Sequence, residues 1–372
     1  MDNAAPVLIA AISGRALAAS ARRGGYLPLV ADFFGDRDTL RAAHAHVRLA
    51  GDLAYGIEEH ALIRAIEALD EQNEAIGIVY GTGFEDRTQI LNRIAQRWRL
   101  LGNGAETVAK IKDPESLSAM CAAFRIPFPE FSLSAPAEPD GWVAKRIGGA
   151  GGSHVKPASK ADGDGIYYQR KMTGSAVAAL FLADGERTTV LGFSAQWNSP
   201  TPRQPYRYGG AVRPAMIVAG MADELSAAVR QIAGAAALVG LNSADFLVDG
   251  ERFCLLEVNP RPGATLDIFE PADGSLFALH VAACTGGLTA TRPHYAEGAK
   301  AAAIVYADTE IPYVPALEWP DWTADQPVPA SAIKAGEPVC TVYACAAAAT
   351  GARALACERR EMVLGWMRAR AS

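Results

Sequence analysis

Apolar runs along the chain alternate with segments of helical period, and each change of period marks an element. Residues 6–12 form an apolar strand. Ser13-Gly14-Arg15 follows as a turn, then an Ala-rich helical segment up to Gly24-Gly25. Residues 26–31 are a second strand, ending in Asp32. Residues 57–69 have helical period, 75–80 form a third strand ending at Gly81-Thr82-Gly83, and a helix over 86–97 completes the unit near residue 103. Strands joined by crossover helices predict a parallel α/β domain. The Ser13-Gly14-Arg15 turn reads either as strand-to-helix punctuation or as a weak phosphate-binding signal.

Further on, Asp113 ahead of Pro114 predicts a capped helix running to about residue 124, which Pro127 and Pro129 then break. A strand over 142–147 leads straight into Gly148-Gly149-Ala150-Gly151-Gly152-Ser153-His154. Residues 166–174 are an aromatic-rich stretch, Ile-Tyr-Tyr-Gln-Arg-Lys-Met-Thr-Gly. Apolar runs at 176–183 and 188–196 flank Asp184-Gly185-Glu186 and predict a hairpin. A Pro- and Gly-rich loop over 198–210 and a helix over 221–238 follow. Beyond residue 300 the texture changes to short extended pieces between prolines, with strands at 301–306 and 340–345 and a closing helix at 354–370.

The segment from Asp245 to Gly263 breaks the pattern. It reads as two apolar strands joined by an Asp-Gly turn, yet one end carries Asp245, Glu257, Asn259 and Arg261. Acids at the buried end of an apolar hairpin are costly unless a cation or hydrogen bonds neutralise them. Oxygen ligands of this kind suit Mg²⁺, which takes one or two carboxylates plus substrate phosphates. Glu257 and Asn259, two apart on a strand, share a face. Asp245 can face Glu257 only if the pairing is centred on residue 251, which calls for an odd-length loop. A two-residue turn shifts the register by one and turns Asp245 away. An ordinary hairpin with solvated acids is the alternative.

Composition narrows the classes. The 372 residues suit two or three domains. Half are apolar and a fifth charged, the profile of a globular protein. The 35 basic and 41 acidic residues leave a net charge of −6, which argues against a nucleic-acid partner. The N-terminus lacks the basic start of a signal peptide, and the longest uncharged run, 274–291, is too polar for a membrane span. The six cysteines form no CxxC pair, and Cys254 and Cys284 lie in apolar segments as reduced core residues. A cytoplasmic protein with no membrane partner is expected. His44 and His46 have strand-like spacing for a metal but no visible partner, and are expected on the surface.

Asp-Phe-Leu at 245–247, a turn, and Leu-Leu-Glu-Val-Asn-Pro-Arg-Pro-Gly at 255–263 resemble the metal-binding segment of the ATP-grasp superfamily. The resemblance implies an α/β (α+β) ATP-grasp fold: an N-terminal parallel α/β domain (1–103), a two-lobed ATP clamp with antiparallel sheets (lid lobe 104–173, catalytic lobe 174–298), and a small β-rich C-terminal cap (299–372). It implies Asp245, Glu257 and Asn259 as ligands for two Mg²⁺ ions, with Mn²⁺ as a substitute, and Arg261 and Lys145 as catalytic residues. ATP would be held by Lys110 and Lys145, by the loop residues Gly148, Gly149, Gly151, Gly152 and Ser153, and by the hinge Gln169, Arg170, Lys171 and Met172. By itself the glycine loop could equally be a flexible hairpin tip, and the hinge an aromatic core strand. The hinge also lacks the acid common there in the family. Arg207 and Arg213 could pair with a substrate carboxylate, the competing reading being a surface salt bridge.

The implied chemistry is ATP-dependent ligation of a small-molecule carboxylate to an amine, with a homodimer as a possible assembly. The layout is most similar to the tyramine/tyrosine–glutamate ligases of methanofuran-type cofactor biosynthesis, through Tyr206-Arg207-Tyr208-Gly209-Gly210 and Trp319-Pro320-Asp321-Trp322 to Gly336-Glu337-Pro338. A carboxylase- or purine-pathway-type ATP-grasp enzyme is the nearest rival. A non-catalytic ATP-binding regulatory protein is the rival of another class.

Overall fold

The computed structural model describes residues 4–53, 55–160, 163–288 and 293–371. The first three residues and residues 289–291 of the uncharged run lie outside them. The first hundred residues build the parallel sheet that their pattern predicts. Its order is Ala45–Arg48, Leu27–Asp32, Pro6–Ala10, Ile78–Tyr80. The pattern predicts three strands; the fourth, Ala45–Arg48, is too short and polar to show in it. That strand carries His46 to 2.9 Å from the fully buried Asp32. His46 is therefore not the surface residue expected, whereas His44 is exposed. Loops at the carboxyl ends of parallel strands gather on one edge, the usual ligand side of an open α/β sheet.

Asp113 caps the helix Pro114–Phe124 as predicted, its carboxylate accepting from the Ser116 N–H at 2.8 Å. Next comes a four-stranded antiparallel sheet, ordered Phe131–Ser132, Ile166–Arg170, Trp142–Arg146, Lys156–Pro157. The third sheet has eight strands, ordered Arg252–Asn259, Val239–Asp249, Ser175–Asp184, Thr188–Asn198, Tyr208–Arg213, Ala299–Tyr306, Pro338–Ala346, Thr323–Ala324. The strands past residue 299 thus continue this eight-stranded sheet instead of forming one of their own.

One face of this sheet is covered by Met221–Ala235 and Ala349–Ala371. The other contributes Leu180, Leu182 and Leu241 to one apolar cluster with Phe277 and with Val7, Ile9 and Leu17 of the N-terminal domain. At about 1.5–3 kcal/mol per buried side chain of this size, the contact fixes the N-terminal domain on the sheet. Arg15 reinforces it with paired hydrogen bonds to Asp267 (2.6 and 2.6 Å) and to Asp325 (3.0 and 3.1 Å). Gly14 N–H donates to Asp32 at 2.9 Å. The Ser13-Gly14-Arg15 turn is thus a junction built on carboxylates, and its donors are already committed. No helix among the described residues is long and apolar enough to cross a membrane, and all six cysteines are free.

Candidate active site

Asp245 and Glu257 face each other directly across the hairpin. The expected register holds, but the device that sets it differs from the one expected. Asp249 pairs with Arg252 around a two-residue turn, Gly250-Glu251, with Gly250 at φ 60°. Continued unbroken, that register would set Asp245 opposite Leu256. A β-bulge between Asp245 and Phe246 on one strand and Leu255 and Glu257 on the other leaves Leu256 unpaired and restores the match. Leu255 and Val258 consequently stay in the core under Met221–Ala235. Glu257 turns to the opposite face, beside Asp245 and Asn259. Asn259 Nδ2 donates to Asp245 Oδ2 at 2.9 Å, so the three side chains form one cluster.

Two lysines neutralise it. Lys112 Nζ donates to Asn259 Oδ1 at 2.7 Å and lies 3.7 Å from Glu257. Lys145 is buried on the strand Trp142–Arg146, paired with Tyr167, and feels the charges of Glu257 and Asp245. The second lysine corrects an expectation: Lys110 points away and donates to the Ala235 carbonyl at 3.2 Å. On the helix Ala105–Lys112 the two lysines are two apart, and a helix sends such positions to different sides. Burial raises the Asp245 carboxyl to about 7, helped by the Glu257 charge and a hydrogen bond to it. Burial also pushes Glu257 upward, but Lys112, Lys145 and His154 outweigh it and bring Glu257 to about 2. The two acids are thus pushed in opposite directions, Asp245 toward its protonated form and Glu257 toward its charged form. Among the described residues no group of three or more His, Cys, Asp or Glu could hold a metal. Two acids and an amide fit a cation that draws further oxygens from a bound phosphate.

The glycine loop is seated rather than free. Gly148 (φ 74°) lies where a Cβ would sit 2.5 Å from the Glu85 carbonyl oxygen, and a Cβ on Gly152 (φ 71°) would collide with the Tyr206 carbonyl. Tyr208 N–H donates to Gly151 O at 3.0 Å. Ser153 follows these glycines, and His154 lies 3.3 Å from Ala150 O, its pKa lowered by burial against the opposing pull of the Glu257 charge. The strand Ile166–Arg170 alternates sides. Tyr168 packs outward with Trp142, while Tyr167, paired with Lys145, and Gln169 share the inner face. Gln169 is 1% exposed, and its Nε2 has no hydrogen-bond partner among the described residues. Arg170 stacks on Trp142 and is exposed, as are Lys171 and Met172. Any base contact from 170–172 therefore falls to the main chain. A narrow cleft runs between Lys112, Leu117, Phe128, Gly149, Tyr167 and Glu257.

Arg261 is buried and donates through Nε to Glu85 Oε1 at 2.7 Å, a partner from the N-terminal domain. The two candidate substrate arginines are committed elsewhere. Arg207 stacks on Tyr306 and donates to the carbonyls of Ser199 (3.0 Å) and Gly336 (3.2 Å). Arg213 donates to the Ile268 carbonyl and lies over Tyr295. Arg207 fastens two loops, Arg213 is held at Nε, and neither is the surface ion pair that was the competing reading.

A family model described as an ATP-grasp domain matches residues 111–265. Over that span the chain is similar to an ATP-grasp domain. The matched span takes in Lys112, Lys145, the glycine loop, the acid pair, Asn259 and Arg261, and begins just after Lys110. The match supports the expectation of an ATP-dependent enzyme of the ligase type. No curated protein matches by sequence. Among solved structures, a biotin carboxylase–β-γ-ATP complex from Campylobacter jejuni superposes with a TM-score of 0.72 at 18% identity, over 98% of this chain and 95% of that one. The biotin carboxylase domain dimer of 2-oxoglutarate carboxylase from Hydrogenobacter thermophilus, with MgADP and bicarbonate, gives 0.71 at 13%, over 95% and 89%. Pyruvate carboxylase from Rhizobium etli gives 0.70 at 16%, over 95% of this chain and 36% of that one. At such identities the likeness establishes the fold alone, a mixed α/β architecture shared along nearly the whole chain with biotin carboxylase structures.

Proposed function

We propose that this protein is an ATP-dependent ligase that joins a small carboxylic acid to an amine through an acyl phosphate. The observation that carries the reading is the cluster of Asp245, Glu257 and Asn259, ringed by Lys112 and Lys145 beside a seated glycine loop. In the proposed reaction a substrate carboxylate oxygen attacks the γ-phosphorus of ATP and the bond to the β-phosphate oxygen breaks, releasing ADP. The amine nitrogen then attacks the acyl carbon and phosphate departs. Two Mg²⁺ ions, replaceable by Mn²⁺, would be held by Asp245, Glu257 and Asn259, and would neutralise charge on the transferring phosphoryl group. Lys145, Lys112 and Arg261 supply fixed positive charge beside it. The glycine loop excludes water from the acyl phosphate. The buried, unpartnered Gln169 amide offers a hydrogen bond to the base.

The finer proposal is glutamate as the acid and an aromatic amine as its partner, in a methanofuran-type cofactor pathway. A second reading, a carboxylase acting on bicarbonate, is favoured by the match over 98% of this chain to a biotin carboxylase. ADP release measured over a panel of amino acids, bicarbonate and aromatic amines separates them. The ligase reading expects ADP only with an organic acid, stimulated by an amine. Release driven by bicarbonate alone would support the carboxylase. ATP binding with no turnover across the panel would support a non-catalytic binding protein.

A further inference from the structure

We infer that Glu85, on the turn after the N-terminal strand Ile78–Tyr80, is a positioning residue for Arg261. The inference rests on the ligase reading and deepens it, because it brings the N-terminal domain into the phosphoryl-transfer site. Glu85 is 4% exposed and Arg261 7%. The carboxylate is fixed within its own domain first. Glu85 Oε2 accepts from Gly83 N–H at 2.9 Å and from Phe84 N–H at 3.0 Å. Oε1 is left for Arg261 Nε, at 2.7 Å. Burial alone would push this carboxyl up, but Arg261 and Lys112 hold it below the usual carboxylate range.

The side of the guanidinium that Glu85 takes decides the role. A bond at Nε leaves the outer fork of the guanidinium for another anion. Among the described residues, only the Pro262 carbonyl approaches Nη1, at 3.3 Å. A fork held from behind is preorganised to receive a phosphoryl or carboxylate oxygen without a search through rotamers. The same turn supplies the surface on which the lid sits, since Gly148 packs directly on the backbone of Glu85 and Asp86. The turn therefore references both the lid and the reactive arginine to the N-terminal domain.

The test uses the full chain with substrates found by the panel above, comparing wild type with Glu85→Gln and Glu85→Asp. A positioning role predicts that Glu85→Gln lowers kcat about 10–100-fold while KM for ATP changes less than about threefold. Glu85→Asp should recover part of the loss. In an Arg261→Met background, Glu85→Gln should cost less than about threefold, because the group it positions is gone. A kcat within about twofold of wild type in Glu85→Gln, or an equal loss in both backgrounds, overturns the inference while the ligase reading stands. If Glu85→Gln does not fold, Glu85→Asp carries the same comparison. A wild-type protein with no turnover overturns both readings.

Discussion

Replacing Glu257 by Gln is expected to lower kcat for ADP formation by about 10³-fold or more, since the proposed metal and two lysines would lose their shared counter-charge. The substitution keeps the shape of the side chain, so the hairpin register and the Leu256 bulge should survive. What it removes is the charge that Lys112, Lys145 and His154 stabilise. With Glu257 neutral, Asp245 also loses the like charge that helps raise it, so the residual site should bind one cation weakly. Stability is expected to fall by only about 1–3 kcal/mol, the cost of leaving a buried charged partner short of a bond. The checks are ADP release as a function of Mg²⁺ concentration, and thermal melting to establish folding. Turnover within tenfold of wild type would mean that Glu257 does not hold the metal.

The second large effect separates two lysines two residues apart. Lys112→Met should reduce kcat/KM for ATP by about 10²-fold, the usual scale for removing one fixed charge from a transferring phosphoryl group. Lys110→Met should leave it within about twofold, because an exposed lysine bonded to a helix-end carbonyl contributes little. A neutral side chain at Lys112 also removes the donor to Asn259 Oδ1. Measuring both variants with the same acid and amine cancels differences between preparations. Equal losses, or a larger loss at Lys110, would return the phosphate role to Lys110.

Much of this site is legible in the chain. Spacing alone pairs Glu257 with Asn259, and the cost of burying acids points to a cation. The glycine run after a strand bearing Lys145 announces its loop. The bulge is harder to see: Leu256 is as apolar as its neighbours, and nothing in a run of Leu-Leu-Glu tells which residue will be left unpaired. A helix in which Lys110 and Lys112 both read as solvent-facing gives no rank between them until its buried face is known. Glu85 leaves no local trace, because its role comes from a contact 176 residues away in sequence. The Tyr206-Arg207-Tyr208 stretch looks like a binding loop for the same reason in reverse. Its Arg207 meets Tyr306 and Gly336, which only the tertiary fold brings near. The C-terminal strands read as a separate unit because prolines interrupt them, yet backbone pairing from Ala299 onward extends the eight-stranded sheet.

The fold also explains why these parts need one another. The acid pair lies on a face of the eight-stranded sheet that would be solvent-open without the N-terminal domain and the lid. Leu180, Leu182 and Leu241 dock the first of these, and Arg15 fastens it to Asp267 and Asp325. The turn bearing Glu85 then reaches Arg261, and the glycine loop closes against it.

The most direct measurement is an anomalous difference map from crystals grown with Mn²⁺ and a non-hydrolysable ATP analogue. The account predicts metal density within about 2.0–2.4 Å of oxygens from Asp245, Glu257 and Asn259, bridged to the analogue's phosphates, with Lys112 displaced from Asn259. Manganese and triphosphate bound elsewhere on the protein, with that cluster still held together by its own hydrogen bonds, would contradict it.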